Sequence, residues 1–319
     1  MKKLASRLAM AALLIFIMCQ NVSAAQMLIP GGQLIGLELS DNSVTVAGFH
    51  TQFGVDTKAA GLQIGDKIMQ INNKKISCAQ DIRQALKDAD GAVKLCILRD
   101  GKAKTLKITP QTTADGPRLG IYLKQSVTGV GTVTWIDPES GKFGALGHGV
   151  NTVSGSLLEM NKGSAYNAEV LTVKKGLSGQ PGQIVGSICG VNPIGTLSKN
   201  TQQGIFGTID TLENSEALPI GTAKAGSATI RSTVQNKSVQ EYSVEILKIY
   251  PNAKPAGRNM LLRITDPALL ETTGGIVQGM SGSPIIQDGK LVGAVTHVLV
   301  NDPQTGYGIF IENMLEAAS

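Results

Sequence analysis

Cysteine, histidine and aromatic residues are scarce in this sequence. Its 319 residues include four cysteines and three histidines, and 4% of the residues are aromatic. No two cysteines form a C-x-x-C pair, which excludes a redox or zinc motif of that kind. The histidines at positions 50, 148 and 297 are too scattered along the chain to predict a zinc site. We therefore expect no metal and no cofactor.

Charged residues are also few, at 17%, and the formal net charge is +5. No basic run follows the N-terminus, so the charge predicts no nucleic-acid partner. Glycine is abundant, with 38 copies, but it follows no G-X-Y period, which excludes a collagen-like chain. Together with 42% hydrophobic residues, the glycines predict a packed core of short strands joined by tight turns.

Residues 1–25 have the features of an export segment. Lys2, Lys3 and Arg7 precede an apolar run at residues 8–19, and small residues end at Ala24. The run is shorter than the ~20 residues that a membrane-spanning helix needs. The pattern predicts a signal peptide or signal anchor, so we expect the rest of the chain to work outside the cytoplasm. The cysteines beyond this segment are expected to be free thiols.

A polar stretch at residues 111–117 contains Gly-Pro and predicts a linker between blocks 27–110 and 118–319. In the first block, Ser77 and Gln80 have the spacing of a helix capping box. An apolar stripe after them predicts an amphipathic helix. The second block shows short apolar strands separated by turns, which predicts an all-β barrel or sandwich.

The first block resembles a PDZ domain. Residues 59–68 read A-A-G-L-Q-I-G-D-K-I and lead into I-N-N-K-K-I at residues 71–76, the signature of that family. Upstream, Ile35, Gly36 and Leu37 fit the loop by which PDZ domains hold a peptide carboxylate on successive N–H groups. The alternative for these three residues is an ordinary glycine turn between strands. A peptide bound there would add as an edge strand.

The second block contains a candidate nucleophile. Residues 279–284 read G-M-S-G-S-P and resemble the serine loop of chymotrypsin-like peptidases. In that loop Ser281 would attack, and the N–H groups of Gly279 and Ser281 would form the oxyanion hole. The strand L-V-G-A-V-T-H at residues 291–297 resembles the strand that follows the serine in those enzymes. Met280 stands where trypsin-like enzymes carry an aspartate that pairs with the new N-terminal amine after zymogen cleavage. Because methionine cannot form that ion pair, activation here cannot use it.

A serine nucleophile needs a base, and His148 in A-L-G-H-G is the candidate. Thr296 and His297 are expected to line the substrate cleft. Gly275, six residues before the serine, is expected at the base of the primary pocket. Because no carboxylate stands there, we predict a preference for an uncharged residue before the scissile bond.

The third member of a catalytic triad has two candidates. Asp210 has the spacing usual in chymotrypsin-like enzymes, and Asp266 lies closer to the serine. Both are left open by spacing alone. Either carboxylate would orient the base and stabilise its charged form.

Almost the whole chain resembles the stage IV sporulation protein B family of endospore-forming bacteria. The similarity rests on residues 30–36 (P-G-G-Q-L-I-G), 145–149 (A-L-G-H-G) and 273–284 (T-G-G-I-V-Q-G-M-S-G-S-P). It implies a PDZ domain followed by a mainly β, chymotrypsin-like double barrel of the S55 peptidase type. It also implies a triad of His148, Asp266 and Ser281.

The resemblance implies a function as well. Such a peptidase leaves the forespore, cleaves itself, and cleaves a regulatory membrane protein, which triggers processing of pro-sigma factor K in the mother cell. The expected location is the forespore membrane and the space between forespore and mother cell, and the PDZ domain would bind the protein's own N-terminal segment. The alternatives are an HtrA-like quality-control protease and a PDZ adaptor with an inactive protease-like domain.

Overall fold

The computed structural model describes residues 26–41, 43–124, 126–152, 155–209, 215–235, 238–252 and 257–319. The predicted export segment and Asp210 lie outside these ranges. Within them, no helix is long and apolar enough to cross a membrane.

The described chain consists mainly of strands. It begins with β1 (Met27–Pro30) and β2 (Leu34–Ser40). A second group follows: β3 (Val44–Phe49), α1 (Val55–Ala59), β4 (Lys67–Ile71), β5 (Lys74–Lys75), α2 (Ala79–Lys87), β6 (Val93–Arg99), β7 (Lys102–Ile108), β8 (Gln111–Thr113), β9 (Gly116–Arg118) and β10 (Ile121–Lys124).

Residues 127–318 form two further groups. The first comprises β11 (Val127–Ile136), β12 (Lys142–Ala145), β13 (Lys162–Lys174), β14 (Gln183–Ile188), β15 (Gly195–Thr201), β16 (Gly204–Ile209) and β17 (Leu218–Pro219). The second comprises β18 (Gly226–Ser232), β19 (Gln240–Ile249), β20 (Met260–Ile264), α3 (Pro267–Thr273), β21 (Pro284–Gln287), β22 (Lys290–Leu299), β23 (Asp302–Phe310) and α4 (Ile311–Ala318).

The first barrel is a ring of six antiparallel strands. It runs β12-β16-β15-β13-β2-β11 and closes because β11 also pairs with β12. β1, β14 and β17 extend it at the side. Apolar side chains that alternate along the strands fill its interior, with Phe143 and Ala165 completely buried. Closure leaves no free strand edge in the ring itself.

The second barrel is closed in the order β18-β19-β20-β23-β22-β21. Its core includes Ile230, Leu262, Val295 and Met280, each almost fully buried. Two antiparallel six-stranded barrels side by side are the architecture expected of a chymotrypsin-like peptidase, so the predicted fold class is confirmed.

The PDZ domain is a six-stranded sheet in the order β10-β3-β4-β6-β7, with β5 paired to β4. The buried stripe of α2, at Ile82, Ala85 and Leu86, packs on this sheet as predicted. The Gly-Asp turn of the PDZ signature has a structural reason. Asp66 is 1% exposed, and Arg99 donates two hydrogen bonds of 2.6 Å to its carboxylate.

The PDZ domain is inserted between two paired strands of the first barrel. β2 leads into it and β11 leads out, and these strands pair with Leu39 opposite Val127. β3, which follows β2, pairs in the same way with β10, which precedes β11, and Val46 lies opposite Leu123. One two-stranded ribbon therefore continues from the barrel into the PDZ sheet.

This topology corrects three predictions about the first block. Residues 27–40 pair with the peptidase sheet, so the block 27–110 is not a separate unit. The predicted linker at 111–117 is a hairpin of β8 and β9, after which β10 returns to the PDZ sheet. The helix cap is Cys78, whose N–H donates to Asp81, one residue later than the Ser77 box.

Candidate functional site

Ser281 lies on a loop made of two successive tight turns. The Met280 N–H donates to the Val277 carbonyl, and the Ser283 N–H donates to the Met280 carbonyl. Each turn has a glycine with positive φ in its third position, Gly279 at 102° and Gly282 at 96°. Such turns favour glycine there, which explains the G-x-S-G spacing.

The loop presents two N–H groups without protein partners. Among the described residues, no protein group accepts a hydrogen bond from the N–H of Gly279 or of Ser281. These are the two donors that the sequence predicted for an oxyanion hole. Donors that are held in place but unbonded can bind the charge that develops on a substrate carbonyl oxygen.

Strand β11 of the first barrel holds this loop from behind. The Thr132 hydroxyl donates to the Gly279 carbonyl, and the Thr134 hydroxyl donates to the Gly282 carbonyl, both at 2.8 Å. The Thr132 N–H also donates to the Ser281 carbonyl at 3.0 Å. The strand and the loop are so close that a Cβ on Gly282 would lie 2.1 Å from the backbone carbonyl oxygen of Thr132.

Burial of Met280 fixes the loop from the other side. Its side chain is fully buried in the core of the second barrel, among residues such as Ile184 and Val277. Apolar burial thus does the anchoring at the position where trypsin-like enzymes carry the activating aspartate. No charged N-terminus is needed to hold the Met280 side chain in place.

His148 follows β12 in a turn that packs on the second barrel. Leu146 and Gly147 both have left-handed backbone, with φ of 69° and 68°. A Cβ on Gly147 would lie 2.8 Å from the Thr296 methyl group, so the close approach requires glycine. The turn places His148 beside β22, where its ring centroid lies 5.3 Å from that of His297.

The tautomer of His148 follows from its neighbour. Its Nδ1 lies 3.0 Å from the Gly149 carbonyl oxygen, which can only accept. Nδ1 therefore carries the proton, and Nε2 is left as an acceptor. Burial lowers the pKa of His148, and the Gly149 carbonyl offsets part of that decrease. The imidazole is therefore neutral at neutral pH, as a general base must be.

The Ser281 hydroxyl donates to the Thr296 carbonyl at 2.9 Å. In this resting arrangement the nucleophile is held by β22 and not by His148. Thr296 itself is anchored, because its hydroxyl donates to the Gly257 carbonyl at 2.6 Å. Ser281 thus contacts Thr296, and His148 lies against His297 on the same strand, β22. The expected roles of these four residues in catalysis and substrate binding stay predictions.

Asp266 does not occupy the triad position expected of it. It is the N-cap of α3, where its carboxylate accepts from the Leu269 N–H at 3.0 Å and from the Ser243 N–H at 3.3 Å. Among the described residues no carboxylate bonds to His148, whose Nδ1 partner is Gly149. The other candidate, Asp210, lies outside the described residues. α3 leads directly into the nucleophile loop, so the Asp266 cap supports the segment that carries Ser281.

Gly275 has no room for a side chain. A Cβ there would lie 2.1 Å from the Pro303 carbonyl oxygen, and the neighbouring Ile276 N–H donates to that same oxygen at 2.7 Å. The structure thus seals this position with backbone from β23. The predicted preference for an uncharged residue before the scissile bond stays a prediction.

The predicted carboxylate loop of the PDZ domain is wrong. Ile35, Gly36 and Leu37 lie inside β2, paired on one side with β11 and on the other with β13. A strand of a closed barrel that is paired on both sides has no free edge at which a peptide strand could add. The physical reason is the non-local pairing of β2, which a local pattern cannot reveal.

The sequence contained a second hydrophobic-glycine-hydrophobic pattern that was missed, Leu119-Gly120-Ile121. Its last residue, Ile121, begins β10, one of the two outermost strands of the PDZ sheet. Leu119 is buried in the PDZ core, and Gly120 has a φ of 63°. A linker at residues 111–117, as the sequence predicts, places this segment in the peptidase block, whereas the structure places it in the PDZ sheet.

Comparison with known proteins agrees with this geometry. A family model described as SpoIVB peptidase S55 matches residues 115–315, and a PDZ domain model matches residues 26–98. The PDZ match includes β1 and β2, although their strand partners are in the first barrel.

The individual relatives match a much shorter part of the chain than the family models do. Proteins described as zinc metalloproteases from two Staphylococcus aureus strains, N315 and COL, are each 47% identical over 55 residues. That is 17% of this chain and 13% of theirs, so the chain spans only about an eighth of the length of these relatives.

Solved structures are similar at low identity. The Rv3671c protease of M. tuberculosis is 16% identical, with 59% of this chain and 81% of that chain covered and a TM-score of 0.35. The HtrA-type protease AlgW is 13% identical, with 59% and 54% covered and a TM-score of 0.36. Scores this low carry no argument about activity. The assignment as a serine endopeptidase rests on the family model and on the geometry of the cleft.

Proposed function

Because the chain belongs to the SpoIVB peptidase S55 family, we propose that it is an exported serine endopeptidase of the sporulation pathway. In this proposal it cleaves itself and then a regulatory membrane protein, in the space between forespore and mother cell. That cleavage releases the processing of pro-sigma factor K. Support comes from the family match over residues 115–315 and from the export pattern of residues 1–25.

One observation carries the chemistry. Ser281 lies on a loop in which the N–H groups of Gly279 and Ser281 have no protein acceptor among the described residues. The half-buried, neutral His148 lies against His297 of β22, the strand that holds the Ser281 hydroxyl. On substrate binding, the Ser281 hydroxyl leaves the Thr296 carbonyl and donates to Nε2 of His148. The Ser281 oxygen then attacks the scissile carbonyl carbon, His148 takes the proton, and the two N–H groups bind the oxyanion.

The PDZ domain supplies a second binding place. We propose that an extended peptide adds to the free edge of β10, with its carboxylate on the loop that contains Gly120. Among the described residues β10 pairs with β3 alone, and this open edge together with the positive φ of Gly120 supports the placement. The protein's own N-terminal segment and the membrane substrate are the proposed occupants.

The test has a chemical and a cellular part. A fluorophosphonate should label the wild-type chain at Ser281 and leave Ser281→Ala unlabelled. In an endospore-forming host without its own copy, the wild-type chain should restore pro-sigma factor K processing, and Ser281→Ala should not. Labelling without restoration would remove the sporulation role and leave the peptidase. Degradation of unfolded casein by the wild type would instead favour a quality-control protease.

A further inference from the structure

The rings of His148 and His297 meet across the two barrels. Their centroids are 5.3 Å apart, and their planes are tilted by 40°. In sequence they are far apart and predicted no metal site. We propose that these two imidazoles form a Zn²⁺-binding site whose occupation blocks the catalytic base.

The separation of the rings fits this metal. A zinc–nitrogen bond is about 2.0–2.1 Å long, and the bonds point to the corners of a tetrahedron. Two imidazoles that share one zinc therefore have ring centroids about 5 Å apart. The observed distance of 5.3 Å needs only a small adjustment of the side chains.

His148 is oriented as a metal ligand would be. Its Nδ1–H donates to the Gly149 carbonyl, which leaves the lone pair of Nε2 free. Histidines that bind metals usually donate their other N–H to a carbonyl or carboxylate, which fixes the ring. The same bond that prepares His148 as a base thus prepares it as a ligand.

His297 has a ring nitrogen that no described residue uses. Its Nδ1 is buried and has no hydrogen-bond partner among the described residues. An imidazole nitrogen with a free lone pair is the group that binds metals.

The remaining zinc positions would be filled by water. Across the described residues, no cluster of three or more histidine, cysteine or acidic side chains is present to complete a protein-only site. The guanidinium of Arg258, held over the Tyr307 ring, adds a positive charge nearby. We therefore expect reversible binding that is weaker than in a structural zinc site.

Binding would have a direct chemical consequence. Zinc on Nε2 of His148 uses the lone pair that must accept the Ser281 proton. Inhibition by zinc depends on the proposed peptidase activity, whereas zinc binding depends only on the two imidazole rings. The two can therefore be tested separately.

The binding experiment uses the full, untagged chain carrying Ser281→Ala, which cannot cleave itself. Competition with a fluorescent zinc chelator should show one zinc per chain. Adding His297→Phe or His148→Phe should each weaken binding by about tenfold or more. His50→Phe in the PDZ domain is the matched control and should leave binding unchanged. Absence of binding at millimolar zinc, or equal binding in His297→Phe, would overturn the site.

The inhibition experiment measures the rate of fluorophosphonate labelling of Ser281 with ZnCl₂ and with EDTA. In the wild type and in His50→Phe, zinc should slow labelling by about tenfold or more. In His297→Phe the ratio of the two rates should be close to one, whatever its absolute rate. Mg²⁺ and Ca²⁺, which prefer oxygen ligands, should have no effect. An undiminished zinc effect in His297→Phe would assign the inhibition to another place.

Discussion

The Thr132 hydroxyl in the first barrel donates a hydrogen bond to the Gly279 carbonyl in the second, with 2.8 Å between the two oxygens. Among the described residues, the N–H groups of Gly279 and Ser281 have no protein acceptor. The bond from Thr132 fixes the Gly279–Met280 peptide, which lies between the two peptides that carry these N–H groups, so a strand of the other barrel supports both of them. The position of the oxyanion donors depends on how the two barrels are joined.

Replacing Thr132 by valine keeps the shape of the side chain and removes this hydrogen bond. We expect fluorophosphonate labelling of Ser281 to fall by about 10- to 100-fold, because small misplacements of a catalytic group are costly. The unfolding free energy should fall by only about 1–3 kcal/mol, the cost of an unpaired buried acceptor. Labelling rates and urea unfolding measure the two effects.

The matched control is Thr57→Val in the PDZ domain. Thr57 is 2% exposed, and its hydroxyl donates to the Leu119 carbonyl at 2.7 Å, so the lost bond is of the same kind. This variant should lose similar stability while labelling of Ser281 stays normal. Equal loss of labelling in both variants would mean that stability, not loop geometry, decides the rate.

The role of Asp266 can be separated from that of a triad carboxylate by comparing two variants. Asparagine caps helices about as well as aspartate, whereas alanine costs ~1 kcal/mol at an N-cap. The observed contacts of Asp266 are those of a cap, so Asp266→Asn should label Ser281 nearly as fast as wild type. Asp266→Ala should be less stable and slower. If Asp266→Asn is as inactive as Asp266→Ala in folded protein, the charge itself is required and Asp266 acts on His148.

The pH dependence of labelling should reflect the buried environment of His148. Burial disfavours the charged imidazolium and so lowers the pKa of His148 below its usual 6.5. The neutral form is the base, so activity should persist to lower pH than an exposed histidine would allow. The midpoint of the acid limb should therefore lie below pH 6.5. A midpoint above that value would require a nearby carboxylate that stabilises the imidazolium, such as a triad aspartate.

Two glycine substitutions distinguish the barrel from the PDZ edge. A Cβ on Gly36 would lie 2.6 Å from the Ile188 side chain, so Gly36→Val should lower barrel stability by about 1–3 kcal/mol and slow labelling.

Gly120→Ala should disturb the loop before β10, because a Cβ there would lie 2.0 Å from the Phe53 carbonyl. We expect Gly120→Ala to retain labelling and to lose capture of the N-terminal peptide, measured by fluorescence anisotropy. If Gly36→Val lost peptide capture at an unchanged melting temperature, the peptide-binding loop would lie in β2 and not before β10.

The sequence reveals features whose residues are neighbours along the chain. The G-M-S-G-S-P loop, the A-L-G-H-G turn and the PDZ signature are local, because each is a turn whose backbone demands particular residues. The pairing of β2 with β11 is different, since an entire domain separates the two strands. No local pattern indicates that residues 34–40 belong to a barrel that is completed only after residue 126.

The contact between His148 and His297 was missed for the same reason. Each histidine has a local interpretation, one in a glycine turn and one on a strand, and neither predicts the other. Asp266 shows the opposite failure, since the family resemblance predicted a catalytic contact where the structure places a helix cap. Contacts between side chains on different barrels depend on packing, which strand periodicity does not encode.

The insertion of the PDZ domain between β2 and β11 limits what a single cut in the chain can achieve. A break anywhere between residues 41 and 126 leaves two fragments that both contribute strands to the first barrel. Neither fragment can diffuse away without opening that barrel. Self-cleavage inside this region therefore cannot shed the PDZ domain, and a truncation that starts at residue 118 removes β1 and β2 from the peptidase. Release of the PDZ domain would take two cuts, one on each strand of the ribbon.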